Sequence, residues 1–325
     1  MSHAIVIHEF GGPEVLKWEP FDPGPPGPGE VLIRHDAVGL NYIDVYHRTG
    51  LYPLGNLPAV PGMEGAGRIE AVGEGVTDLK AGNRVAYASP PPGSYSECRR
   101  MPANRVIALP ESVSTRQAAA MMLQGMTASY LLHGCYPVGP GDWILIHAAA
   151  GGVGLIVCQW AKHIGATVIG TVGSREKAEL AEKHGCDYPI LYNTEDFVDR
   201  VRTITGGRGV DVVYDSVGKT TFMSSLDCLR PKGMLVSFGQ ASGPVPPFDV
   251  GLLSAKGALF LTRPTLMTYT ADREDLLIHA GNLFDVIGSG VVSVDIRQVY
   301  PLREAEAAHR DLEARQTRGS TIFEV

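Results

Sequence analysis

The chain has 325 residues, of which 44% are hydrophobic and 19% charged, which is long for a single core; two domains are expected and disorder is not. A formal net charge of -7 argues against a broad nucleic-acid surface. No apolar run approaches the roughly 18 residues of a membrane span, so neither nucleic acid nor membrane is expected as a partner. Cys98, Cys135, Cys158, Cys186 and Cys228 are scattered and odd in number, which predicts reduced thiols. The start, Met1-Ser2-His3 running into Ala4-Ile5-Val6-Ile7, lacks the basic and long apolar stretches of a signal peptide, so a cytoplasmic location is expected.

In chain order, short β-like runs at residues 4–8, 30–38, 67–72, 83–88 and 105–109 alternate with glycine and proline, and predict a small β-rich domain. Asp22-Pro-Gly-Pro-Pro-Gly-Pro-Gly29 reads as a rigid turn between strands. From about residue 129 the rhythm becomes strand, glycine turn, helix. Strands are predicted at 143–147, 167–172, 188–191, 210–214 and 234–239, with helices at 155–163, 175–184, 195–203 and 220–229. That alternation implies a doubly wound parallel sheet of Rossmann type, an α/β fold. Residues 252–261 form a further apolar strand candidate. Helices near 273–287 and 303–316 and a strand at 320–325 are expected to fold back onto the first domain, giving domains of 1–125 with 265–325, and 126–264.

Ala149-Ala150-Gly151-Gly152-Val153-Gly154 stands after a strand and opens a helix, where a dinucleotide-binding loop brings backbone close to a pyrophosphate and the helix N-terminus meets its charge. About 20 residues on, where NAD-binding folds offer an acid to the ribose, stands Gly173-Ser174-Arg175-Glu176-Lys177. Glycine leaves room for a 2′-phosphate, and Ser174 and Lys177 can donate to it, so NADPH is the expected cofactor; Lys177 as a solvated helix charge is the alternative.

Gly39-Leu-Asn41-Tyr-Ile-Asp44, Pro61-Gly-Met-Glu64-Gly-Ala-Gly67, Gln124-Gly-Met-Thr127-Ala, Ala148-Ala-Ala-Gly-Gly-Val-Gly154, Asp215-Ser-Val-Gly218, Ser237-Phe-Gly239 and Thr262-Arg-Pro264 occur in an order that resembles the medium-chain dehydrogenase/reductase superfamily, and within it the zeta-crystallin-like quinone oxidoreductases. The resemblance spans essentially the whole length and implies a GroES-like β-rich catalytic domain beside the Rossmann domain. Where zinc-dependent relatives carry catalytic Cys and His, this chain has Asn41 and Met63, and Ser89-Pro-Pro-Pro-Gly93 replaces the four-cysteine lobe, so no metal site is expected. A quinone or enone, being already electrophilic and able to delocalise incoming charge, suits such a pocket better than an alcohol or simple ketone.

The resemblance places Asn41, Tyr46 and Tyr52 at the nicotinamide end of a cleft, to hydrogen-bond a carbonyl and stack on a quinone; the alternative is that the tyrosines only line the cleft. It assigns to NADPH the residues Asn41, Thr127, Gly151, Gly152, Val153, Gly173, Ser174, Lys177, Tyr192, Ser216, Phe238, Gly239, Phe260, Thr262, Arg263 and Arg315, the last also readable as an exposed helix charge. Asp44 is expected to orient its loop, nothing in the sequence indicating a raised pKa, and His147 to be a core group. The resemblance further implies a homodimer. NADPH-dependent quinone reduction is the expected function; the alternatives are reduction of a conjugated enone or enoyl double bond, and a weakly catalytic NADPH-binding protein.

Overall fold

The computed structural model describes residues 2–325 and divides into two units. The first comprises residues up to Met126 together with Thr270–Gly288 and Val294–Val325; the second comprises Thr127–Tyr269 and Ser289–Ser293. No helix among the described residues is long and apolar enough to cross a membrane.

The first unit is built on a seven-stranded sheet. One path through it runs Ile296–Pro301, Ser320–Glu324, Glu30–Leu40, Glu64–Val72, Arg84–Ala88 and Ile107–Ala108, with Cys98–Pro102 also paired to Glu30–Leu40. The long strand Glu30–Leu40 carries a bulge, because His35 and Ala37 oppose the consecutive residues Gly67 and Ala66 and leave Asp36 extra. That one-residue shift changes which positions point inward: Val31 and Ile33 pack with Ile69, Val85 and Met101, whereas Val38 and Leu40 pack with Ile5, Ile7, Tyr95 and Phe323. The strand therefore serves two cores and delivers Asn41 at its end.

The second unit is a six-stranded, wholly parallel sheet in the order Tyr188–Leu191, Thr167–Val172, Trp143–Ile146, Val210–Asp215, Leu229–Ser237, Phe260–Thr262. The order reverses between Trp143–Ile146 and Val210–Asp215, which is the switch point of a doubly wound fold. Its centre is apolar, with Leu145, Ile169, Ile190, Val213 and Leu235 buried against the covering helices. The GroES-like unit and this Rossmann sheet are the α/β architecture expected from the sequence.

Several elements differ from expectation. Residues 252–261 are not one strand: Gly251–Ala255 is a short helix, and only Phe260–Thr262 pairs with the sheet. A five-residue helix is too short to show a 3.6-residue period, so its leucines read as a strand. Residues 105–109 divide into a 3-10 turn, Ala103–Arg105, and the two-residue strand Ile107–Ala108. Strands Lys17–Phe21, Cys98–Pro102 and Ile296–Pro301 carry no sequence signal strong enough to predict them.

Candidate active site

In the second unit the parallel strands all end at one edge, and most cofactor candidates lie just past those ends. Strand Trp143–Ile146 leads through His147 into Ala148, which adopts a left-handed φ of 56°, and then into Gly151, the N-cap of helix Gly152–Ile164. Gly151 has no side chain to occupy the first amides of that helix, so no side chain caps them and the N–H groups around Gly152 and Val153 are open to an anion. Gly154 fits only without a Cβ, which would lie 2.4 Å from the Ala148 carbonyl oxygen. This bare loop on a helix N-terminus fits a pyrophosphate.

The neighbouring strand end fits a second phosphate. Ser174 caps helix Arg175–Lys183 by accepting the Lys177 backbone N–H at 3.3 Å, which leaves its own hydroxyl hydrogen to donate. A Cβ on Gly173 would meet the Tyr192 hydroxyl at 2.7 Å, so Gly173, Ser174 and Tyr192 converge on one spot. Ser216, Phe238 and Gly239 meet beyond the next two strands, where the Phe238 N–H donates to the Asp215 carbonyl at 2.8 Å and a Cβ on Gly239 would lie 2.6 Å from the Ser216 carbonyl oxygen. Thr262 and Arg263 close the last strand. Phe260 stands apart, at the amino end of its strand and 57% exposed. Thr127 is buried on helix Met122–Ser129. His147 is a buried core group, held by Thr171 Oγ1 and Ser225 Oγ, each at 2.9 Å, and burial lowers its pKa.

Asn41, Tyr46, Tyr52 and Arg315 belong to the first unit. Asn41 precedes helix Tyr42–Arg48, and Tyr46 and Tyr52 meet edge to face with ring centroids 5.1 Å apart. Tyr42 joins them at 5.6 Å from Tyr46, making a small phenol cluster. Arg315 follows helix Ala305–Glu313 with φ 59°.

Two directed hydrogen-bond chains meet at the start of helix Tyr42–Arg48. In one, the Ser320 hydroxyl donates to Gln124 Oε1 (2.7 Å), Gln124 Nε2 to Asn41 Oδ1 (3.2 Å), and Asn41 Nδ2 to Glu64 Oε2 (2.6 Å). Glu64 is fully buried and takes the Leu123 N–H on its other oxygen at 2.8 Å. Burial pushes its carboxyl up to about 8, against the pull of the Asn41 and Leu123 bonds.

The other chain starts from Arg48, which is buried and grips Glu313 with two bonds of 2.8 and 2.9 Å. A guanidinium only donates, so His309 Nδ1 accepts from Arg48 at 3.1 Å, and His309 Nε2 carries the hydrogen given to Tyr95 at 3.0 Å. The Tyr95 hydroxyl then donates to Asp44 Oδ2 (3.0 Å), which also accepts the Asn41 backbone N–H (2.9 Å). Burial, with the Arg48 charge adding to it, lowers the His309 pKa to about 3 and keeps the ring neutral. Asp44 does orient the Asn41 turn. The expectation that its pKa is ordinary is corrected, because burial raises it to about 7 over the opposing bonds from Asn41 and Tyr95.

Sequence reasoning gave Glu64, Gln124, Tyr95, Arg48 and His309 no role. Glu64 and Gln124 lie in quoted motifs, and the only local signal for Glu64 is Gly39, where a Cβ would stand 2.3 Å from its carboxylate. Among the described residues no group of three or more His, Cys, Asp or Glu side chains could hold a metal ion.

The alcohol dehydrogenase GroES-like domain family matches residues 27–134, and the zinc-binding dehydrogenase family matches residues 152–274. Over 323 residues the chain is 50% identical to a quinone oxidoreductase of Pseudomonas aeruginosa, covering 99% of each protein. It is 49% identical over 329 residues to a 2-haloacrylate reductase of a Burkholderia species, again covering 99% of each. The crystal structure of an Escherichia coli quinone oxidoreductase complexed with NADPH superimposes with a TM-score of 0.98 at 47% identity, covering 99% of this chain and 100% of that one. With both folds, the glycine loop and full-length identity near one half in agreement, the chain belongs to the quinone oxidoreductase family of the medium-chain dehydrogenase/reductase superfamily.

Proposed function

We propose that this protein is an NADPH-dependent quinone reductase. The observation that carries the reading is the second unit's strand-end edge, where a glycine-rich loop on a helix N-terminus and the Gly173-Ser174 corner supply two anion cradles on adjacent strands. The Gly152 and Val153 amides hold the pyrophosphate, and Ser174, Lys177 and Tyr192 surround the 2′-phosphate. Ser216, Phe238, Gly239, Thr262 and Arg263 line the coenzyme's path, with Thr127 at the nicotinamide amide. When bound there, NADPH supplies the reducing electrons.

Asn41, Tyr46 and Tyr52 receive the quinone. Asn41 Nδ2 spends one hydrogen on Glu64, and its second donates to a quinone oxygen. The edge-to-face tyrosines offer an aromatic wall for the ring. Asn41 and Met63 occupy the positions of zinc ligands in related dehydrogenases, so charge on the quinone is met by hydrogen bonds and by the substrate's own delocalisation.

A second reading is reduction of a conjugated carbon–carbon double bond, favoured by 49% identity to a 2-haloacrylate reductase. NADPH and NADH oxidation by metal-stripped protein, with 1,4-benzoquinone, 9,10-phenanthrenequinone, cyclohexenone and 2-chloroacrylate in parallel, separates the two. Fast chelator-insensitive turnover of a quinone supports the first; turnover of only the unsaturated acceptors supports the second; tight NADPH binding with no turnover marks a binding protein and refutes both. The protein is further proposed to act in the cytoplasm as a homodimer, using the edge strand Phe260–Thr262 with its exposed Phe260 as the contact, which light scattering on wild type and Phe260→Lys tests.

A further inference from the structure

We infer that Glu64 is a positioning residue for the quinone step: its carboxylate, lodged against Gly39, fixes the Asn41 side-chain amide in one of two orientations and so keeps an amide hydrogen available to the substrate oxygen. The inference rests on the reading that Asn41 receives the quinone.

An asparagine amide fits its space equally well after a half turn, but the half turn exchanges donor for acceptor. The Ser320 hydroxyl both donates and accepts, and the Gln124 amide can itself turn over, so that end of the chain tolerates either direction. Only the Glu64 end is one-way. An ionised carboxylate solely accepts, and a reversed Asn41 would place its oxygen against Glu64 Oε2 at the present 2.6 Å, acceptor to acceptor. Gly39 makes the site: with any Cβ there, 2.3 Å from Glu64 Oε2 and 2.4 Å from the Ala119 carbonyl oxygen, the carboxylate would be displaced.

Protonation would lift the constraint, because the carboxyl could then donate to Asn41 Oδ1 and the chain could reverse as a unit. The groups around Glu64 are Asp44, whose charge opposes its ionisation, and the hydroxyls of Tyr87 and Tyr95, with Arg99 over the Tyr87 ring at 5.0 Å. Since burial brings the Glu64 carboxyl up to about 8, the anchoring form is gained as pH rises through that value.

The test measures kcat and KM for 1,4-benzoquinone from pH 6 to 9.5, with NADPH affinity by fluorescence, for wild type, Glu64→Gln, Asn41→Ala and the double variant. Wild-type kcat/KM is expected to rise about tenfold through a limb near pH 8, the scale of one well-placed hydrogen bond. In Glu64→Gln the limb disappears at the low rate, NADPH affinity holds within about twofold, and the substitution costs nothing further in the Asn41→Ala background. A limb that survives in Glu64→Gln, or a loss that adds in full to that of Asn41→Ala, overturns the inference. If Glu64→Gln does not fold, Asn41→Ala alone decides: a limb persisting in it overturns the inference. A fully active Asn41→Ala overturns the substrate reading and this inference together; an impaired Asn41→Ala beside a Glu64→Gln that keeps its limb overturns this inference alone.

Discussion

Raising the pH from 6.5 to 8 is expected to destabilise the first unit by about 1 kcal/mol. Asp44 and Glu64 are fully buried, with carboxyls raised to about 7 and about 8, whereas in the unfolded chain both lose their protons near pH 4. Above that pH the unfolded chain has shed two protons that the folded unit keeps, so each further rise favours unfolding by about 1.4 kcal/mol per pH unit per group until the folded value is passed. Three buried histidines act in the opposite sense. Burial lowers His35 and His47 to about 4 and His309 to about 3, so below pH 6.5 the unfolded chain takes up protons that the folded unit refuses. Well below pH 6.5 they destabilise on acidification by about 4 kcal/mol per unit, against about 3 returned by the two acids, and at pH 6.5 itself the unfolded histidines are still half protonated. Stability therefore peaks near pH 6.5 and falls by about 1 kcal/mol per unit on either side. Urea unfolding by far-UV circular dichroism at fixed ionic strength, with hydrogen exchange of strand Glu30–Leu40 to localise the change, measures both limbs. Glu64→Gln is expected to remove the alkaline drop. A wild-type stability that is flat or rises between pH 6.5 and 8 would refute the protonated burial of these acids.

Gly154→Ala pushes a methyl into the Ala148 and Ala149 backbone, which cannot yield as a side-chain tip can; NADPH affinity is expected to fall at least about tenfold by calorimetry. Lys177→Ala is expected to raise KM for NADPH about tenfold while leaving that for NADH within about twofold, and an equal effect on both would remove Lys177 from the 2′-phosphate. Glu313→Gln leaves the buried Arg48 charge facing a neutral amide in place of a carboxylate, beside Gly11 and His309, and is expected to cost about 3 kcal/mol by denaturant unfolding.

The second unit was largely legible because its elements announce themselves locally. Strands Thr167–Val172 and Tyr188–Leu191 were predicted to the residue, each bounded by glycine or polar turns, and the glycine loop marked the turn from strand to helix. The first unit was harder. Lys17–Phe21 and Ile296–Pro301 have no residue fully buried, so alternation between apolar and polar is weak in both. The site shows the same division: Asn41 stands out as a residue, but Glu64, Gln124 and Ser320, which define its amide, come from three separate segments and become its partners only through the fold. Asp44 shows a different limit. Its capping of Asn41 is local, whereas its raised pKa comes from burial that no neighbouring residue reveals.

The placement of strand Ser320–Glu324 bears on how the protein is made. It sits between Ile296–Pro301 and Glu30–Leu40, pairing Thr321 with Leu40, so the flank of an early strand is closed by residues synthesised long afterwards. Thr127–Tyr269, by contrast, supplies its whole sheet from one continuous stretch. On the ribosome the nucleotide-binding unit can therefore finish folding while the earlier-made β-rich residues still wait, and the nascent chain spends that interval with the backbone edge of Ala37–Leu40 open to chaperones.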